Sequence, residues 1–122
     1  MTGRRPQQLS IEVEHVGTVA IVAANGEVDL ATADEFANAL DPDRHDGRGL
    51  VLDLRSVPFM DSSGLAVVVR VADRLRDRFA VVVAEGSPVE RLFELTEVLG
   101  SLSAFRDTGA AAEAVAAGGA GA

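Results

Sequence analysis

Val51-Leu52-Asp53-Leu54-Arg55-Ser56-Val57-Pro58-Phe59-Met60-Asp61-Ser62-Ser63-Gly64-Leu65 carries the chain from an aliphatic run, through a proline turn, into a cluster of carboxylate, hydroxyls and glycine. Leu50 to Leu54 is apolar enough for a strand inside a sheet. Beyond the turn, apolar residues recur at helical spacing and predict a helix from Ser62 to Arg78. Strand, turn and helix in that order are the unit of a parallel α/β sheet. The polar cluster then falls at the C-terminal edge of the sheet, where such proteins present functional groups.

The flanking sequence extends the same pattern. Leu9, Ile11 and Val13 alternate with Ser10, Glu12 and Glu14, the period of a half-exposed edge strand. Gly17-Thr18 reads as a turn and Val19 to Ala23 as a more buried strand, so the chain opens on an antiparallel hairpin. Asn25-Gly26-Glu27-Val28-Asp29 leads to a helix over Thr32 to Leu40, with Phe36, Ala37 and Leu40 on one face and Asp34 and Glu35 at its positive end. Pro42 and the polar run Asp43 to Gly49 close it. Downstream, Phe79 to Ala84 is a buried strand, and Pro88 opens a helix carrying Val89, Leu92, Phe93 and Leu95. Leu102 to Phe105 forms a short last strand and Thr108 to Ala117 an alanine-rich helix. The prediction is one α/β domain over residues 9–117. It has a mixed, mostly parallel sheet of four to five strands, about four helices and an opening β-hairpin. Residues 1–8 are expected to be flexible and 118–122 disordered.

Composition narrows the chemistry. The 122 residues suit one compact domain, and with 48% apolar residues they can bury a core without staples. There is no cysteine, which removes thiol chemistry, disulfides and cysteine-bound zinc. All eleven basic residues are arginine, which removes lysine Schiff bases and the P-loop lysine. A net charge of −8 has the wrong sign for nucleic acid, and no apolar run approaches a membrane span or a secretory signal. The expectation is a cytoplasmic protein with no cofactor and no metal ligands.

Asp61-Ser62-Ser63-Gly64 admits two readings. One is a helix cap, because Asp and Ser oxygens accept the free N–H groups of a first turn. The other is an anion or partner site at the positive end of the helix. There a phosphate on Ser62 or Ser63 could lie against the backbone beside Gly64. Nucleophilic catalysis is disfavoured, since a serine nucleophile needs a base. His15 lies on the edge strand, His45 lies in a loop, and the Gly-x-Ser-x-Gly elbow is absent. Projected at 100° per residue, Leu65, Val68, Ala72, Leu75 and Phe79 face the sheet. Ser63, Val67, Arg70 and Arg74 form the opposite, exposed stripe, so Val67, Arg70 and Arg74 are candidate partner contacts. Asp29 either caps the turn into the first helix or joins those contacts.

Four blocks in register make the chain resemble the STAS family, in particular its stand-alone anti-sigma factor antagonists. They are Gly26-Glu27-Val28-Asp29, Val51 to Leu54, Phe59-Met60-Asp61-Ser62-Ser63-Gly64-Leu65, and Pro88 to Thr96. They span most of residues 10 to 115. The resemblance implies that Ser62, directly after the aspartate, accepts phosphate, with Asp61, Ser63 and Gly64 supporting it. It also implies two partners: an anti-sigma factor that is itself a serine kinase, and a serine phosphatase that resets the switch. In this reading the protein is not an enzyme. The unphosphorylated antagonist binds the kinase and frees a sigma factor. STAS domains in scaffolds or lipid-transport complexes are the alternative role. Two departures stand out: Arg76-Asp77-Arg78 replaces glycines common before the fourth strand, and Glu97 stands where many relatives have glycine.

Overall fold

A computed structural model describes residues 9–96 and 102–121, the last three as backbone only; the segment 1–8, Glu97 and Ala122 lie outside them. β1 (Ser10–Val16) and β2 (Val19–Asn25) form the antiparallel hairpin, with Gly17 at positive φ in the turn. α1 (Ala33–Ala39) and a 3-10 turn (Pro42–His45) lead to β3 (Gly49–Ser56). α2 (Ser62–Leu75), β4 (Phe79–Val82), α3 (Pro88–Leu95), β5 (Ser103–Phe105) and α4 (Thr108–Gly121) follow. α4 runs four residues beyond Ala117, so Gly118 to Gly121 continue the helix into the stretch expected to be disordered.

The five strands lie in chain order, β1-β2-β3-β4-β5, and every pair after the hairpin is parallel. Parallel crossovers are right-handed, so a sheet wound steadily in one direction puts its connecting helices on one face. The burial pattern follows from this. Alternate strand residues Ala20, Val22, Leu50, Leu52, Phe79 and Val81 meet Phe36, Val68 and Phe93 of the first three helices in the main core. The opposite face, with Val19, Val51, Ala80 and Val82, is covered by α4 through Ala111 and Val115. Glycine lets that helix and its neighbours approach: a Cβ on Gly49 would stand 2.4 Å from Val115 Cγ1.

The loop before α3 is pinned by Glu90. Its Oε1 accepts the Gly86 N–H at 2.8 Å and its Oε2 meets Arg106 at 2.6 Å. The Gly86 N–H first, and then Arg106, hold this carboxyl below the usual range. Asp53 behaves similarly for a mixed reason. Burial pushes its carboxyl up, but hydrogen bonds from the Arg55 side chain and backbone, together with the guanidinium charge, outweigh it and leave it lowered.

α2 stops at Leu75, three residues short of the expected end, and Phe79 is buried as a strand residue rather than on the helix face. Arg76 breaks the helix with φ 57° and ψ −123°, a conformation that suits glycine and strains any residue with a Cβ. Arg76→Gly should therefore stabilise the domain by about 0.5–2 kcal/mol. It removes strain of roughly 1–3 kcal/mol and gives back roughly 0.5–1 kcal/mol in unfolded-state entropy. Urea midpoints of the two proteins measure this, and a lower midpoint for the variant would refute it.

Candidate functional site

The residues after β2 and β3 meet at the C-terminal rim of the sheet. Val28 and Met60 form one further parallel bridge beyond the strands. The Val28 N–H donates to the Phe59 carbonyl and the Asp61 N–H to the Val28 carbonyl, each at 3.0 Å. The bridge sets Asp29 and Asp61, the next residue in each chain segment, on the same edge.

Asp61 is the N-cap of α2. Its Oδ1 accepts the Ser63 N–H at 2.8 Å and the Gly64 N–H at 3.3 Å. The capping reading is thus realised, by the aspartate. Ser62 occupies the first helical position with its side chain exposed, and Ser63 is half-buried. The expected bed for a phosphate beside Gly64 is already filled. A Cβ on Gly64 would lie 2.5 Å from Val28 Cγ1 and 2.8 Å from Met60 Cγ. Glycine is needed here because the Val28 side chain, fully buried, packs against the first turn of the helix. With both amides engaged by Asp61, a group added to Ser62 projects outward.

Asp29 fulfils the turn role. Its Oδ1 accepts the Thr32 N–H at 3.2 Å, while Thr32 Oγ1 accepts the Asp29 N–H at 3.0 Å and donates to the Glu27 carbonyl at 3.0 Å. These bonds hold a half-buried carboxylate in place at the rim. Local hydrogen bonds therefore fix both Asp61 and Asp29 on this edge.

Val67 corrects the sequence reading. It is 3% exposed, not a surface contact. The projection allowed α2 a single neighbour, the sheet, whereas α1 also packs on it and widens the buried arc to include Val67 and Val71. Arg70 is exposed as expected. Arg74 is exposed too but engaged, 3.6 Å from Asp43 and 4.0 Å from Asp41. Both arginines line a groove of about 410 Å³ between the two helices, away from the Asp61-Ser62 edge.

Three exposed apolar side chains escaped the sequence reading. Leu30, directly after Asp29, is 80% exposed, Phe59 46% and Leu95 77%. Phe59 and Leu95 share a shallow groove of about 510 Å³ with Met60, Pro88, Arg91 and Leu92. Only Leu30, directly after Asp29, carried a local hint of exposure, whereas Phe59 stands between Pro58 and Met60 and Leu95 at helical spacing in α3.

Neither histidine can serve Ser62. His15 pairs across the hairpin with Ala20, and His45 precedes Gly49, so both lie at the N-terminal end of the parallel strands, opposite the serine. The rim offers an exposed hydroxyl directly after the Asp61 cap, with Asp29 on the same edge. No helix among the described residues is long and apolar enough to cross a membrane.

Fold and rim together define a small mixed α/β module that presents a serine at the start of its central helix. The chain belongs to the STAS domain family, whose profile matches residues 10–112. It is 33% identical over 91 residues to the anti-sigma-B factor antagonist of Staphylococcus aureus (strain NCTC 8325 / PS 47), covering 72% of this chain and 84% of that protein. It is 37% identical over 94 residues to the protein of the same name from Listeria monocytogenes, covering 75% and 82%. Among solved structures, an anti-sigma factor antagonist from Mycobacterium paratuberculosis superposes with a TM-score of 0.81 at 27% identity, over 91% of this chain and 97% of the other.

Proposed function

We propose that the protein is an anti-sigma factor antagonist that acts by binding and is switched by phosphorylation of Ser62. The observation that carries this reading is the exposed Ser62 at the first position of α2, directly after the Asp61 cap and on the edge of the sheet that also carries Asp29. The names of its relatives support it. In the unphosphorylated form it binds an anti-sigma factor that is a serine kinase, and a sigma factor is released. A serine phosphatase restores the binding form.

The contact surface differs from the stripe expected on α2. Leu30, Phe59 and Leu95 expose apolar area on the loops and helix that surround the serine rim, whereas Val67 has none to offer. Exposed large apolar residues grouped beside a polar site are the usual core of a protein interface. Asp29 contributes its fixed charge, and Arg70 and Arg74 stand at the periphery.

The test is phosphorylation by anti-sigma factor kinases of the same organism with ATP, followed by intact-mass measurement and peptide mapping. One phosphate on Ser62 is expected, with none on Ser62→Ala and an unchanged melting curve for that variant. Phosphate mapped mainly to Ser63, or undiminished labelling of Ser62→Ala, would sink the assignment.

A further inference from the structure

The chain's two histidines come together although thirty positions separate them. His15, exposed on β1, places Nε2 3.2 Å from Nδ1 of His45. His45 is 3% exposed, and its Nε2 lies 2.8 Å from the Ala39 carbonyl oxygen. That oxygen can only accept, so Nε2 of His45 carries the hydrogen, and in the neutral ring Nδ1 then presents its lone pair to His15.

We infer that this pair is a site for an exchangeable divalent transition-metal ion, with His45 Nδ1 and His15 Nε2 as ligands and water completing the shell. The spacing fits. Two nitrogens each about 2.0–2.1 Å from one tetrahedral ion stand roughly 3.3 Å apart, close to the separation of the pair. The orientation fits as well, because a ligating imidazole characteristically donates its other N–H to a carbonyl or carboxylate, the role that Ala39 plays for His45. Access comes from His15. Its exposed ring can rotate on χ angles and move its hydrogen from Nε2 to Nδ1, opening a wedge for the ion while His45 stays fixed. The proton is only relocated within His15, so none is gained or lost.

The donor set defines the ion. Imidazole pairs favour Cu²⁺, Ni²⁺ and Zn²⁺ over Mg²⁺ and Ca²⁺, with Cu²⁺ bound most tightly. Among the described residues no third histidine, cysteine or carboxylate joins them, so the ion exchanges rather than staying permanently. The net charge of −8 favours the approach of a cation. Once bound, the ion links the β1 edge to the connection between α1 and β3, at the end of the sheet remote from Ser62.

The full-length protein should melt higher with Zn²⁺ or Cu²⁺ but not with Mg²⁺. At a free ion concentration ten times the dissociation constant the rise should be roughly 3–6 °C. Circular dichroism is the readout, because the chain lacks tryptophan and tyrosine. His15→Gln keeps an N–H donor for His45 Nδ1, so its metal-free melting should change little. It should lose the metal-induced rise and bind Cu²⁺ at least tenfold more weakly by calorimetry. Electron paramagnetic resonance of the Cu²⁺ form should show two imidazole nitrogens in the parent protein. No melting shift at millimolar Zn²⁺ and Cu²⁺, or a full shift retained in His15→Gln, would overturn the site and leave the pair a hydrogen bond only.

Discussion

The protein carrying one phosphate on Ser62 is expected to bind its anti-sigma partner roughly 30- to 1000-fold more weakly than the unmodified chain, the equivalent of about 2–4 kcal/mol. The charge state of the rim accounts for this. Asp61 already occupies the Ser63 and Gly64 amides, so a phosphate on Ser62 finds both of them taken. It adds about −1.5 to −2 charges beside an existing carboxylate and directs them outward. A partner surface matched to a neutral hydroxyl must then desolvate that charge. Ser62→Asp should reproduce only part of the loss, because a carboxylate has less charge and fewer acceptor oxygens. Calorimetric titration of both forms, with melts alongside, decides the matter. Equal affinities would remove the switch. A large fall in melting temperature would mean that unfolding, rather than surface charge, does the switching.

Gly64→Ala is expected to lower stability by up to about 2 kcal/mol, although helix propensity alone predicts a gain of about 1 kcal/mol. The new methyl would overlap Val28 Cγ1 and Met60 Cγ, and Val28 can retreat in no direction, being fully buried in the main core. Overpacking of this kind costs about 1–3 kcal/mol, which outweighs the propensity term. Val28→Ala in the Gly64→Ala background should recover part of the loss, so that the pair is less destabilised than the sum of the single variants. Denaturant midpoints of the four proteins complete the cycle. A stabilising Gly64→Ala would show that the contact does not limit the packing of α2.

The element order was legible because each strand and helix carries its own periodicity. The hairpin, the parallel strands after it and the starts of α2 and α3 at Ser62 and Pro88 all follow from local signals. What the sequence hid depends on contacts between distant segments. Val67 looks exposed on an isolated helix and becomes buried once α1 lies beside it. Gly64 looks like room for an anion until Val28, thirty-six positions earlier, fills that room. Arg76 itself gives no sign of its positive φ; only the glycines that relatives carry before the fourth strand hint at the conformation the turn into β4 imposes. The place of Ser62 at the start of α2 was found from its neighbours in sequence. The apolar residues around it were not, because their exposure depends on how two loops and α3 are brought to one edge.

The bridge between Val28 and Met60 has a consequence for how this edge is recognised. It extends the pairing of β2 and β3 by one rung into the loops, so the segment before Ser62 is held by backbone hydrogen bonds rather than by side chains alone. A surface shaped before it meets its partner surrenders little conformational freedom on docking, and less of the contact energy is spent on ordering. Affinity then depends on the chemistry displayed at the rim more than on loop closure. Under the proposed switch, a single covalent change at the Ser62 hydroxyl would then act without this edge having to refold.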